Sequence, residues 1–72
     1  MKFPERLKEL RTEKNLTQTQ LANIFNVDQT SIKNWENGIN ETDFKTLLKL
    51  AEFFDVSTDY LLGKENELRV GS

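Results

Sequence analysis

Residues 17–38, TQTQLANIFNVDQTSIKNWENG, leave few ways to fold. Apolar side chains fall at Leu21, Ala22, Phe25, Val27, Ile32 and Trp35. That spacing suits two short helices joined by a tight turn and seated on one core. Between the anchors stand amides and hydroxyls: Gln18, Gln20, Gln29, Thr30, Ser31, Asn34 and Asn37. A merely solvated helix face is usually rich in Lys and Glu. Short groups that both donate and accept are instead the chemistry that reads base edges in a DNA major groove.

Flanking segments extend the helical reading. Phe3, Leu7 and Leu10 mark one stripe of a first helix, with Pro4 tolerated in its first turn and Arg6, Lys8, Glu9 and Glu13 as solvated charge. Asn15 suits a left-handed stop, with Leu16 folding back on the core. Thr17 and Gln20 form a capping box for the second helix, and Asn26 and Val27 make the turn. Asp28 caps the third helix, and Gly38 stops it. After a polar loop, Thr42 or Asn40 caps a fourth helix at about 43–54. Its apolar residues, Phe44, Leu47, Leu48, Leu50, Ala51, Phe53 and Phe54, cover more than one stripe, which predicts the most buried helix of the set. Ser57 caps a short fifth helix that Gly63 ends. The domain is expected at 1–63, with a polar, flexible tail at 64–72. Trp35, three residues beyond Ile32, belongs to the core, whereas Phe53, Tyr60 and Leu61 suit either the core or a dimer surface, with the core favoured.

An internal echo supports this layout. Residues 21–28 (LANIFNVD) and 50–57 (LAEFFDVS) share the form L-A-x-x-F-x-V-cap, each a helix exit, a turn and a helix start. Only the first is followed by reading chemistry. The second leads into Asp59 and the apolar run Tyr60, Leu61, Leu62, which suits packing.

Composition excludes more than it assigns. The chain of 72 residues has no cysteine and no histidine, which removes disulfides and the usual zinc ligands. A chain this short buries only about 60% of its unfolded surface, so stability should be of order a few kcal/mol. The first ten residues have no long apolar run, so neither a signal peptide nor a membrane span is expected, and a reducing cytoplasm is the default compartment. Net charge is −2. Residues 1–38 hold six basic and five acidic groups, a net of +1, whereas residues 39–72 hold four and seven, a net of −3. Non-specific DNA affinity should therefore be weak. Asp55-x-Ser57-x-Asp59 imitates a calcium loop, but Tyr60 stands where Gly is needed and Asn66 where Glu is needed. The glycosylation patterns at Asn15 and Asn40 carry no weight without a secretory route.

Three fragments, LKELRTEKNLTQTQLA, VDQTSIKNWENG and LLKLAEFFDVSTDYLLG, occur here in order, across roughly residues 5 to 63. Together they resemble the Cro and phage-repressor type, or Xre-like, helix-turn-helix domain. The resemblance implies an all-α, compact five-helix lambda-repressor-like domain of bacterial or phage origin, associated with the nucleoid. It implies a transcriptional regulator, most often a repressor, that binds an inverted-repeat operator as a homodimer with the third helix in the major groove. It implies base reading by Gln29, Thr30 and Asn34, with Lys33 on the same edge. Phosphate contacts are implied for Gln18, Asn37 and Arg11, and a structural pair for Arg11 and Glu36. The loop departs from relatives: its acids, Glu41 and Asp43, would repel a phosphate, which leaves Lys45 and backbone amides as contacts. No cofactor, metal, membrane or small-molecule substrate is expected, and catalysis lacks the groups it needs. The acidic balance keeps one alternative open, an antitoxin- or adaptor-like module of the same fold whose partner is a protein.

Overall fold

The structure, a computed structural model, describes residues 2–64. The expected tail, from residue 65 on, lies outside the described residues. The class is all-α as expected, with α1 Phe3–Glu13, α2 Gln18–Phe25, α3 Gln29–Glu36, α4 Phe44–Phe54 and α5 Thr58–Leu62. No helix among the described residues is long and apolar enough to cross a membrane.

These five helices stop by one device. The residue after the last turn takes positive φ: Asn15 59°, Asn26 56°, Gly38 74°, Asp55 58° and Gly63 82°. The next N–H then reaches back to close the end. Leu16, Val27, Ile39, Val56 and Lys64 donate to the carbonyls of Arg11, Ala22, Asn34, Ala51 and Asp59 at 2.8–3.1 Å. Gly adopts this conformation at no steric cost, and Asn and Asp are the next best. The sequence echo is thereby a structural one. Asn26 and Asp55 share φ and ψ within a few degrees (56° and 46°, 58° and 47°) and lead into α3 and α5 respectively.

Helix starts vary more. At α2 the capping box is complete: the Thr17 hydroxyl accepts from the Gln20 N–H at 3.0 Å, and the Gln20 amide oxygen accepts from the Thr17 N–H at 2.8 Å. Thr17→Ala should lower stability by about 1 kcal/mol, read as a shift in the urea midpoint at constant slope. Ser57 caps α5 through the Tyr60 N–H at 2.9 Å. Two starts differ from expectation. Asp28 stands at the cap position of α3, yet its side chain makes no cap hydrogen bond, and its backbone carbonyl takes the Ser31 N–H at 2.9 Å. The α4 cap is Asp43, neither Thr42 nor Asn40. Its carboxylate accepts from the Thr46 N–H at 3.3 Å, because extended Asp43 sits one residue closer to the first turn than Thr42 does. Hydrogen bonding with Thr46 holds the Asp43 carboxyl below its ordinary pKa. The cap is therefore present at neutral pH and is lost as pH falls through that lowered value.

One core joins all five helices: Phe3, Leu7 and Leu10 from α1, Leu21 and Ala22 from α2, Ile32 and Trp35 from α3, Leu47, Leu50, Ala51 and Phe54 from α4, and Tyr60 and Leu61 from α5, with Val56 from the turn. Half-buried Phe53 stands edge-on to Phe25 and Phe54, with ring centroids 5.6 and 4.9 Å apart. The expectation that α4 is the most buried helix fails. Phe44 is 72% and Leu48 47% exposed, and α1 buries as many residues as α4. Those two side chains lie one turn apart on a stripe rotated away from Leu47, Leu50 and Phe54, and no described element covers it. Arg6 also departs from its reading as solvated charge. It is half-buried, stacks 4.1 Å above the Tyr60 ring, and donates to the Tyr60 carbonyl at 2.9 Å, clamping α1 to α5.

Candidate nucleic-acid interface

The two helices of the sequence feature stand on either side of a three-residue turn, Asn26 to Asp28. On α3 the buried residues are Ile32, Trp35 and Glu36. A period of 3.6 then turns the remaining positions outward. Gln29, Thr30, Lys33 and Asn37 are exposed, and Asn34 is half-buried at the edge of that face. Their side chains make no hydrogen bond to any described residue. The face is made of amides, a hydroxyl and one ammonium, none of them used by the fold.

Behind this face lies a buried polar network. Arg11 on α1 and Glu36 on α3 form a bidentate pair, Nε to Oε2 at 2.6 Å and Nη2 to Oε1 at 3.0 Å, with side chains 11% and 2% exposed. The third guanidinium nitrogen, Nη1, donates to the Leu16 carbonyl at 2.7 Å. Gln18, half-buried in the first turn of α2, donates its side-chain amide to Glu36 Oε1 at 3.2 Å. Glu36 thus fixes α3 to α1 and α2 at once. A surface ion pair would add little, whereas this one is enclosed and its geometry is bidentate. The amide of Gln18 has a second N–H that makes no hydrogen bond to any described residue. Lys45, in the first turn of α4, is exposed, and the neighbouring Asp43 is engaged as the α4 cap. That structural duty accounts for an acid in this loop.

The family resemblance put Gln29, Thr30, Lys33 and Asn34 on one edge, and the structure sets these four on the outward side of α3. What spacing did not show was Glu36 as the shared acceptor of Arg11 and Gln18. The partners lie 25 and 18 residues away in sequence, beyond any helical period.

A family model described as helix-turn-helix matches residues 7–61, most of α1 through α5. The chain belongs to this helix-turn-helix family. It is 45% identical over 65 residues to the HTH-type transcriptional activator BcrR of Enterococcus faecalis, covering 90% of this chain and 32% of that protein. It is 42% identical over 65 residues to the HTH-type transcriptional regulator ImmR of Bacillus subtilis (strain 168), covering 90% of this chain and 51% of that protein. It is 36% identical over 64 residues to the cryptic phage CTXphi transcriptional repressor RstR of Vibrio cholerae, covering 89% of this chain and 57% of that protein. The chain thus spans between a third and somewhat over half of these relatives. The family is one of transcription regulators, not of enzymes. An activator and a repressor both appear among the relatives, so the domain by itself does not dictate the sign of regulation.

Proposed function

We propose that this helix-turn-helix domain is a sequence-specific binder of double-stranded DNA and acts as a transcriptional repressor in the cytoplasm. The observation that carries the reading is the uncommitted amide and hydroxyl face of α3, braced from behind by Glu36. Gln29, Thr30 and Asn34 read base edges, with an amide bidentate to adenine as the main contact, and Lys33 reaches a base or phosphate from the same edge. Gln18, Asn37, Arg11 and Lys45 meet phosphates, and Arg11 also holds Glu36. Two copies place their α3 helices in successive major grooves about 34 Å apart on an inverted repeat, and repression follows from occupancy.

Selection from random duplexes at about 0.15 M salt tests this reading. An enriched inverted repeat with half-sites one helical turn apart is expected. No enrichment would turn the acidic balance of the chain into the better guide and favour a protein partner. On the selected site, Gln29→Ala should cost about 1–3 kcal/mol and relax preference at one base position. A loss that is uniform across all sequences would remove Gln29 from base reading.

A further inference from the structure

We infer that Asn37 is a modification site: it deamidates spontaneously when the end of α3 frays, and the modified chain loses its hold on DNA. The loss of DNA binding rests on the functional reading above; the modification itself does not. Of the seven asparagines, only Asn37 is followed by glycine. Its side chain is exposed and makes no hydrogen bond to any described residue. Because Gly38 has no side chain, nothing shields the backbone nitrogen that must attack the Asn37 amide. Elsewhere the following residue blocks that approach and is held in place. Leu16 after Asn15 and Val27 after Asn26 pack against the core, and Trp35 after Asn34 is buried.

The reaction exchanges water for ammonia. The Gly38 nitrogen, having given its proton to solvent base, adds to Cγ of Asn37, and the Cγ–Nδ2 bond breaks to release ammonia. A cyclic imide, a succinimide, remains. Water then opens it at either carbonyl, which leaves aspartate or isoaspartate, the latter with its chain running through Cγ. In the closed helix end the attack cannot begin, because Asn37 holds ψ at 0° and so turns the Gly38 nitrogen away from its side chain. Reaching the side chain breaks two hydrogen bonds, Gly38 N–H to the Trp35 carbonyl at 3.3 Å and Ile39 N–H to the Asn34 carbonyl at 2.9 Å. Gly38, Ile39 and Asn40 are all exposed, Ile39 by 66%, so this opening leaves the core packed. Exposed helix ends of this kind open at little cost in free energy. The product places a new carboxylate at the negative end of the α3 dipole, against the phosphate that Asn37 is proposed to meet. Bound DNA favours the closed end, so the unbound chain ages while the bound chain is protected.

Incubation of the full 72-residue chain in warm, mildly alkaline buffer, followed over time by peptide mass mapping, is the test. The mass gain of an –NH2 to –OH exchange is expected on the peptide that holds Asn37, at no less than about a tenth of the rate in chain unfolded by urea. Asn37→Gln, whose longer side chain closes a ring far more slowly, should keep its mass and hold whatever DNA affinity it starts with. Asn37→Asp should stay folded and bind the duplex enriched by the selection above at least about tenfold more weakly than the parent. An excess of that duplex should slow modification of the parent at least about fivefold. A folded chain that keeps its mass while the urea-unfolded chain changes would overturn the inference. So would modification spread over other asparagines, or a modified chain that binds like the fresh one. Modification at Asn37 in a chain that enriches no duplex at all would keep the site and discard the DNA reading.

Discussion

Replacing Glu36 by alanine is expected to unfold most of the domain at room temperature. Glu36 accepts from Arg11 at 2.6 and 3.0 Å and from Gln18 at 3.2 Å, with its side chain 2% exposed. Its removal leaves a guanidinium enclosed between helices with only the Leu16 carbonyl as partner. Breaking a buried pair from one side costs about 3–5 kcal/mol, because the remaining charge stays desolvated. A domain of this size has only a few kcal/mol in hand. The informative control removes both charges. Arg11→Met with Glu36→Leu should fold within about 1–2 kcal/mol of the parent, since an apolar pair of similar volume replaces an expensive ionic one. Urea unfolding followed by the fluorescence of Trp35, the single and buried tryptophan, measures both variants. A loss under about 1 kcal/mol for Glu36→Ala would mean that the pair is solvated and that the fold does not depend on it. The double variant also isolates function. With α3 folded but no longer fixed through Gln18, and with the phosphate contact of Arg11 removed as well, its DNA affinity should fall by more than the small change in stability explains.

Much of the fold was legible because its punctuation is local. Asn15, Gly38 and Gly63 each announce a helix stop within a single residue, Asn26 with Val27 marks a turn, and the Thr17–Gln20 box is three residues wide. Phe44 and Leu48 misled for an equally physical reason. Apolar identity says that a side chain gains from burial, not that the fold has another element with which to bury it. Arg6 misled in the opposite direction, since a charged residue counts as solvated until a distant carbonyl and an aromatic ring, both of Tyr60, come within reach. Asp43 shows a third limit. Cap preference ranks Asn, Asp, Ser and Thr closely, so several candidates within a few residues cannot be separated before the backbone path is fixed. The exposed face of α3 was legible for the same reason as the core: one period governs both. Its support was legible only through the family resemblance, which implied the Arg11–Glu36 pair that the structure forms; spacing alone could not show it, because Arg11, Gln18 and Glu36 meet only in three dimensions.

Ile32 offers the sharpest separation of holding the reading helix from reading with it. It is fully buried, while its neighbour Lys33 is exposed on the same turn of α3. Ile32→Ala removes three carbons from a site that packed helices cannot collapse to fill, and should cost about 2–5 kcal/mol. Ile32→Val should cost only about 0.5–1.5 kcal/mol and leave the domain folded. Lys33→Ala should change stability by less than about 0.5 kcal/mol. Denaturant melts give these three values, and selection on random duplexes gives the complementary readout. Ile32→Val acts through the folded fraction alone, so its selected sequence should match that of the parent at every position. A variant at the exposed face, such as Gln29→Ala, should leave the melt unchanged and alter one position. Were Ile32→Val to shift base preference while Gln29→Ala did not, the reading surface would lie elsewhere than on the outward side of α3. The two readouts respond to opposite faces of one eight-residue helix, so the pair of variants tests the assignment whatever the operator sequence is.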